Sequence, residues 1–189
     1  MSDSVKNIFI IFIGAVVFIY SCNHSKLFKS DKVKGYGYTF VIPAGWEKSA
    51  ELSHEGKYSD PETMTRTIVL IPVDQKSRKG GPNTTISLSS KKLERSFWIE
   101  DEFPLIINAL TNQGFRIIQK GEIKINEQLS KWVLYQDMGT AQLTLDFYMI
   151  SENNIFYEIK MITDPENFDK YRPSFEELKS TFKSKMLSF

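Results

Sequence analysis

Residues 140–163, TAQLTLDFYMISENNIFYEIKMIT, decide how this chain folds. Leu143, Leu145, Phe147 and Met149 recur with period two, so they share one face of an extended strand. Asn153-Asn154 follows, and asparagine tolerates the positive φ that a tight hairpin demands. Ile155, Tyr157, Ile159 and Met161 then line one face of the returning strand. Two alternating strands joined by a short turn predict an antiparallel sheet with a buried face.

Working outward, Phe115 to Ile125 and Gln128 to Asp137 flank a tight turn at Asn126-Glu127, and Gly139 turns the chain into the central pair. Tyr38-Thr39-Phe40-Val41-Ile42 is aromatic and β-branched and is closed by Pro43, so it is a further strand. Pro43-Ala44-Gly45-Trp46 is a turn that returns the tryptophan to the sheet. Met64 to Ile71, stopped by Pro72, and Thr84 to Ser90 complete the strands, separated by polar loops over Glu51–Glu62 and Asp74–Asn83.

Two helices interrupt this pattern. In the first, Asp101 and Glu102 place negative charge at the start, and Pro104 is expected in the first turn. Phe103, Ile106, Ile107 and Leu110 form one apolar stripe, and Gly114 suits the C-terminal cap. In the second, Asp164-Pro165 is expected as N-cap and first helical position, Ser174 with Glu177 as a capping box, and Phe175, Leu178 and Phe182 as the inward stripe. The prediction is an α+β domain over residues 38–189, a mostly antiparallel twisted sheet flanked by helices.

Ahead of this domain lies Ile8 to Cys22, IFIIFIGAVVFIYSC. Its apolar part, about 13 residues and roughly 20 Å as a helix, is short of the ~30 Å hydrocarbon core and suits a signal-peptide core better than a span. Ile19-Tyr20-Ser21-Cys22 resembles the lipobox of bacterial lipoproteins, with Tyr20 bulkier than the usual occupant. That resemblance implies a signal peptide over 1–21, recognised through Ile19, Tyr20 and Ser21, and lipid on Cys22 that holds the protein to a membrane. Cys22 is the only cysteine, so no internal disulfide competes for it. Residues 22–37, with Lys26, Lys29, Lys32 and Lys34 against Asp31, are expected to be a lipidated basic tether.

The formal net charge of +1 argues against nucleic acid, which needs a basic stripe for phosphate contacts. Apolar residues at 41% and aromatics at 13% are ample for a single core. No cofactor or metal motif emerges. Of the two histidines, His24 lies in the tether and His54 in a polar loop near Glu51, Glu55 and Asp60, where solvent exposure is the plainer reading. Gly35-Tyr36-Gly37 lacks the third glycine of a dinucleotide loop and precedes a strand instead of following one. Without a nucleophile–base pair the chain is expected not to be an enzyme. Phe97-Trp98-Ile99 is the feature folding explains least: it either closes one end of the core or offers a patch for a partner.

The segment Tyr38–Trp46, a hydrophobic strand ending in Pro-x-Gly-Trp, resembles the opening of the Mog/PsbP-like superfamily. Residues 121–182 resemble its closing part: Gly121 before a hairpin at Asn126, three meander strands, then Phe168, Tyr171, Phe175 and Phe182 in a helix. Where such chains usually place glycine after the hairpin asparagine, this one has Glu127. The resemblance implies an α/β/α sandwich like that of PsbP-related and DcrB-like proteins, whose common thread is docking onto other macromolecules. The expectation is therefore a periplasm-facing cell-envelope lipoprotein that binds an envelope protein without catalysis. The alternative is a carrier of a small apolar ligand held between sheet and helix.

Overall fold

The computed structural model describes residues 31–54, 65–76 and 80–184. Ile19, Tyr20, Ser21, Cys22 and His24 lie outside the described residues, as does the 55–62 part of the first polar loop. The chain enters through β1 (Lys32–Gly35), which forms an antiparallel hairpin with β2 (Tyr38–Val41). This corrects the expected tether, which ran to Gly37: the compact unit begins at Lys32. The physical reason lies in Val33, which packs on the core, and in Gly35, which pairs directly with Tyr38. A Cβ on Gly35 would sit 2.2 Å from the Tyr38 ring, so only glycine lets that ring lie across the strand. Gly37, at φ +75°, makes the turn, and its carbonyl accepts a 2.8 Å hydrogen bond from the Tyr157 hydroxyl. The Gly-Tyr-Gly stretch is thus turn chemistry.

After the Pro43–Trp46 turn come β3 (Trp46–Lys48), β4 (Arg66–Pro72) and β5 (Thr85–Lys92). Helix α1 (Ile99–Asn112) follows, then the meander β6 (Arg116–Ile125), β7 (Gln128–Gln136), β8 (Leu143–Ile150) and β9 (Ile155–Thr163). Helix α2 (Phe168–Thr181) and the short β10 (Lys183–Ser184) close the described chain. The main sheet has seven strands in the order β3-β4-β5-β9-β8-β7-β6, and β1-β2-β10 form a small second sheet. Every paired neighbour is antiparallel.

The turn at Asn126-Glu127 forms as expected, with φ of 46° and 64°, and Ile125 pairs directly with Gln128. Two positive φ values in a two-residue loop match the twist of the flanking strands, so the backbone requirement holds even with glutamate in the second place.

The helix boundaries differ from expectation. Helix α1 starts at Ile99, so Pro104 sits in its interior beyond the first turn. The carbonyl that loses its partner there is on Glu100, an exposed residue that water can satisfy. Its other end matches the sequence: the Gly114 amide donates to Thr111 and the Phe115 amide to Leu110, a glycine-capped terminus with φ +87°. Pro165 opens a 3-10 turn (Pro165–Asn167), and the Asp164 carboxylate accepts from the Asn83 amide at 2.6 Å instead of capping. Ser174 lies inside α2, so it forms no capping box; the helix runs through Pro173, whose ring is on the exposed side.

The two helices divide the core. On one face of the sheet, Leu145, Phe147, Met149, Ile155, Tyr157, Ile159 and Met161 pack under Tyr171, Phe175, Leu178 and Phe182 and under Tyr38 and Phe40 of β2. On the opposite face, Val133, Tyr135 and Tyr148 pack under Ile99 and Phe103, with Ile106, Ile107 and Leu110 half-buried beside them.

Candidate functional site

Helix α1 and the sheet beneath it hold the groups whose presence packing does not explain. The chain reaches α1 through residues 93–98, pinned to the β8–β9 hairpin. The Leu93 amide donates to the Asn154 carbonyl at 2.8 Å, and the Asn154 amide side chain donates to Ser96 Oγ at 3.3 Å. At the end of this loop the three residues singled out in the sequence part company. Ile99 is 4% exposed and belongs to the core under α1, so it is corrected from a partner contact to a packing residue. Phe97 is 36% exposed and Trp98 72% exposed.

Trp98 occupies the N-cap position of α1 and makes no side-chain cap; only its carbonyl works, accepting from the amides of Asp101 and Glu102. Helices prefer Ser, Thr, Asp or Asn there, because a side-chain oxygen satisfies a free amide. An indole at that position neither caps nor packs. Glu100, Asp101 and Glu102 in the first turn rim it with negative charge.

Under α1 lies a polar cluster that sequence reading missed. Asp146 of β8 pairs directly with Lys160 of β9, and Tyr148 directly with Glu158. The four side chains occupy two adjacent rows of one face. Asp146 Oδ2 accepts 2.7 Å from the Tyr148 hydroxyl and lies 3.4 Å from Lys160 Nζ, which reaches Glu158 at 2.6 Å. Asp146 is fully buried, and its Oδ1 has no hydrogen-bond partner. Burial, followed by the charge of Glu158, holds the Asp146 carboxyl well above the usual carboxylate range. Burial opposes charge on Lys160, but Asp146 and Glu158 outweigh it and hold the ammonium above the ordinary lysine value. Burial and the nearby Asp146 push Tyr135 up to about 12. One signal was available in the sequence: the Asn153-Asn154 turn sets a register that places Asp146 opposite Lys160.

Beside the cluster, α1 and the sheet part to leave an open groove of about 320 Å³. Its helix wall is Ile106, Ala109 and Leu110, and its floor carries Phe156, Tyr148 and Glu158. The groove exists because α1 lies over β6, β7 and β8, while β5 on the same face extends past it. Elsewhere, His54 is exposed and its backbone bridges Thr67 at 2.8 and 3.1 Å. Among the described residues no group of three His, Cys, Asp or Glu side chains is placed to hold a metal ion. Asp146 and Glu158 are two carboxylates tied to one ammonium.

No protein-family model and no curated protein matches this sequence. Solved structures do match it. Cyanobacterial PsbP from Synechocystis sp. PCC 6803 superposes with a TM-score of 0.56 at 12% identity, over 83% of this chain and 94% of its own. LpqN of Mycobacterium tuberculosis, a protein involved in cell envelope biogenesis, gives 0.58 at 8% identity over 85% and 87%. A protein of unknown function from Pseudomonas aeruginosa gives 0.53 at 11% identity over 83% and 98%. The chain has a PsbP-like α+β fold: antiparallel sheets flanked by two helices.

Proposed function

We propose that this protein is an envelope lipoprotein, held to a membrane by lipid on Cys22, whose PsbP-like domain docks onto another envelope protein and performs no chemistry of its own. The observation that carries the docking reading is Trp98: a tryptophan 72% exposed at a helix N-cap contributes to neither core nor cap. Trp in particular, clustered with a second aromatic, is the commonest kind of binding anchor. Phe97 supplies that neighbour, and the acidic first turn of α1 favours a partner whose apolar pocket has a basic rim. The fold shared with cyanobacterial PsbP and with LpqN supports an extracytoplasmic setting. The lipobox-like Ile19-Tyr20-Ser21-Cys22 supports the anchor.

The test places a photocrosslinking residue at Trp98 and, as control, at exposed Gln113 near the far end of α1, in native envelopes. A specific adduct at 98 only, lost at high salt and in a Glu100→Lys/Asp101→Lys variant, supports docking. Equal adducts at both positions would sink it. Trp98→Ala should leave unfolding stability within about 0.5 kcal/mol, as for a surface site, while weakening partner binding by about 2 kcal/mol. Separately, Cys22→Ala should release the protein from membranes or stall its processing.

A further inference from the structure

We infer that the groove between α1 and β5–β9 is a binding site for a single-chain amphiphile with an anionic, carboxylate-type head. The cavity of about 320 Å³ lies at the small end of ligand clefts, with room for one short alkyl chain. Its helix wall is aliphatic: Ile106 and Leu110 are only half-buried there, facing the groove, and Phe156 lies half-buried on its floor. These side chains leave apolar surface uncovered that an alkyl chain would take out of water.

The charge on the groove selects the head. Among the described residues two charged side chains line it, Glu158 and Lys91. Glu158 is neutralised at 2.6 Å by Lys160, which points up from the buried cluster. Lys91 pairs across the strands with Phe156 and is half-buried, and it has no carboxylate partner among the described residues. Among the described residues this ammonium, held beside apolar surface, has no counter-charge and so favours an anion; Ser89, one row along the same face of β5, lies beside it with its hydroxyl shared with Thr67 at 3.0 Å. The arrangement disfavours a cationic head, which would meet Lys91 with Glu158 already committed. Lys160 thus has a role for the groove: its ammonium offsets the charge of Glu158 that would otherwise repel such a ligand.

The test titrates the full chain with decanoate below its micelle threshold, with decanol and decylammonium as probes of the head, and reads the Ile106 and Leu110 methyl resonances by NMR. Decanoate should shift those methyls saturably at one equivalent, with decylammonium at least tenfold weaker. Lys91→Gln should weaken decanoate roughly tenfold, as for loss of one charge-assisted hydrogen bond, and leave decanol unchanged. Ala109→Trp, which adds bulk at an exposed wall position, should weaken both tenfold or more. Methyl resonances of the core under α2 report that each variant is folded. Equal binding of decylammonium, decanoate affinity unmoved by Lys91→Gln, binding unmoved by Ala109→Trp, or no saturable shift would each overturn the inference.

Discussion

The central strands β8 and β9 present two faces built to different rules. The face under α2 is apolar along its whole length, from Ile155 to Met161 and from Leu145 to Met149, and it is packed with aromatics such as Phe147 tilted against Phe175 and Tyr157 edge-on to Phe182. The face under α1 alternates with it residue by residue, yet carries Asp146, Tyr148, Glu158 and Lys160. The difference follows from coverage. Helix α2 and the small β1-β2-β10 sheet close one face, where the buried Lys179 of α2 lies over the Phe147 ring and keeps Glu176 as its partner. Helix α1 covers only part of the other, so an ion cluster can sit at the margin with Lys160 and Glu158 partly wet. One face is spent on stability, and the other is where ligand and partner surfaces can lie.

Four substitutions sharpen or break this contrast. Phe175→Ala on the α2 face should cost about 3–5 kcal/mol in urea unfolding, because it empties a fully buried aromatic site. That loss should be nearly independent of pH, since its ring packs on Phe147 and the carboxylates of the ion cluster lie on the opposite face; a strong pH dependence would contradict the division of faces. Lys160→Met on the α1 face should cost less, about 2–3 kcal/mol at pH 7. It leaves two carboxylates facing each other, but the lysine side chain is 23% exposed and water relieves part of the penalty.

Asp146→Asn should cost little, within about 1 kcal/mol at neutral pH, because Lys160 and Glu158 remain a neutral pair. Its pH dependence is the sharper readout. A carboxyl whose folded value is raised favours folding fully below its unfolded value of about 3.9, and that contribution is lost as pH rises through the raised value. The asparagine variant lacks this loss. Its stability relative to the parent should therefore climb as pH rises from about 4, then level off above the native value. A flat difference across that window would mean Asp146 is charged in the fold. The smallest effect is expected at the β6–β7 turn, where Glu127→Gly should gain about 0.5–1 kcal/mol in thermal or urea unfolding by relieving a positive φ of 64°.

Much of the fold was legible because strand and turn chemistry is local. The period-two runs at 143–149 and 155–161 became the inner faces of β8 and β9, and Gly114, Asn126 and Asn154 took the positive φ values their turns needed. Local cues failed where a distant group had already claimed the side chain. Asp164 spends its carboxylate on Asn83, and Ser174 is carried into the middle of α2 because Tyr171 and Phe175 dock on the core together. The opening β1 escaped notice because four residues with two lysines show too little alternation; its place is set by Tyr38 across the hairpin.

By itself the sequence determined the periodicities, the turns and a lipobox-like stretch ahead of an α+β domain. These depend only on residues a few places apart, where backbone sterics and side-chain spacing act directly. Tertiary structure decided which residues between the apolar positions would be buried and which aromatics left in water. Asp146 became a sealed carboxylate and Trp98 an exposed indole because α1 lies over β6, β7 and β8 and stops short of covering β5. Where a helix comes to rest depends on the summed packing of many distant side chains, and no single stretch of this chain encodes it.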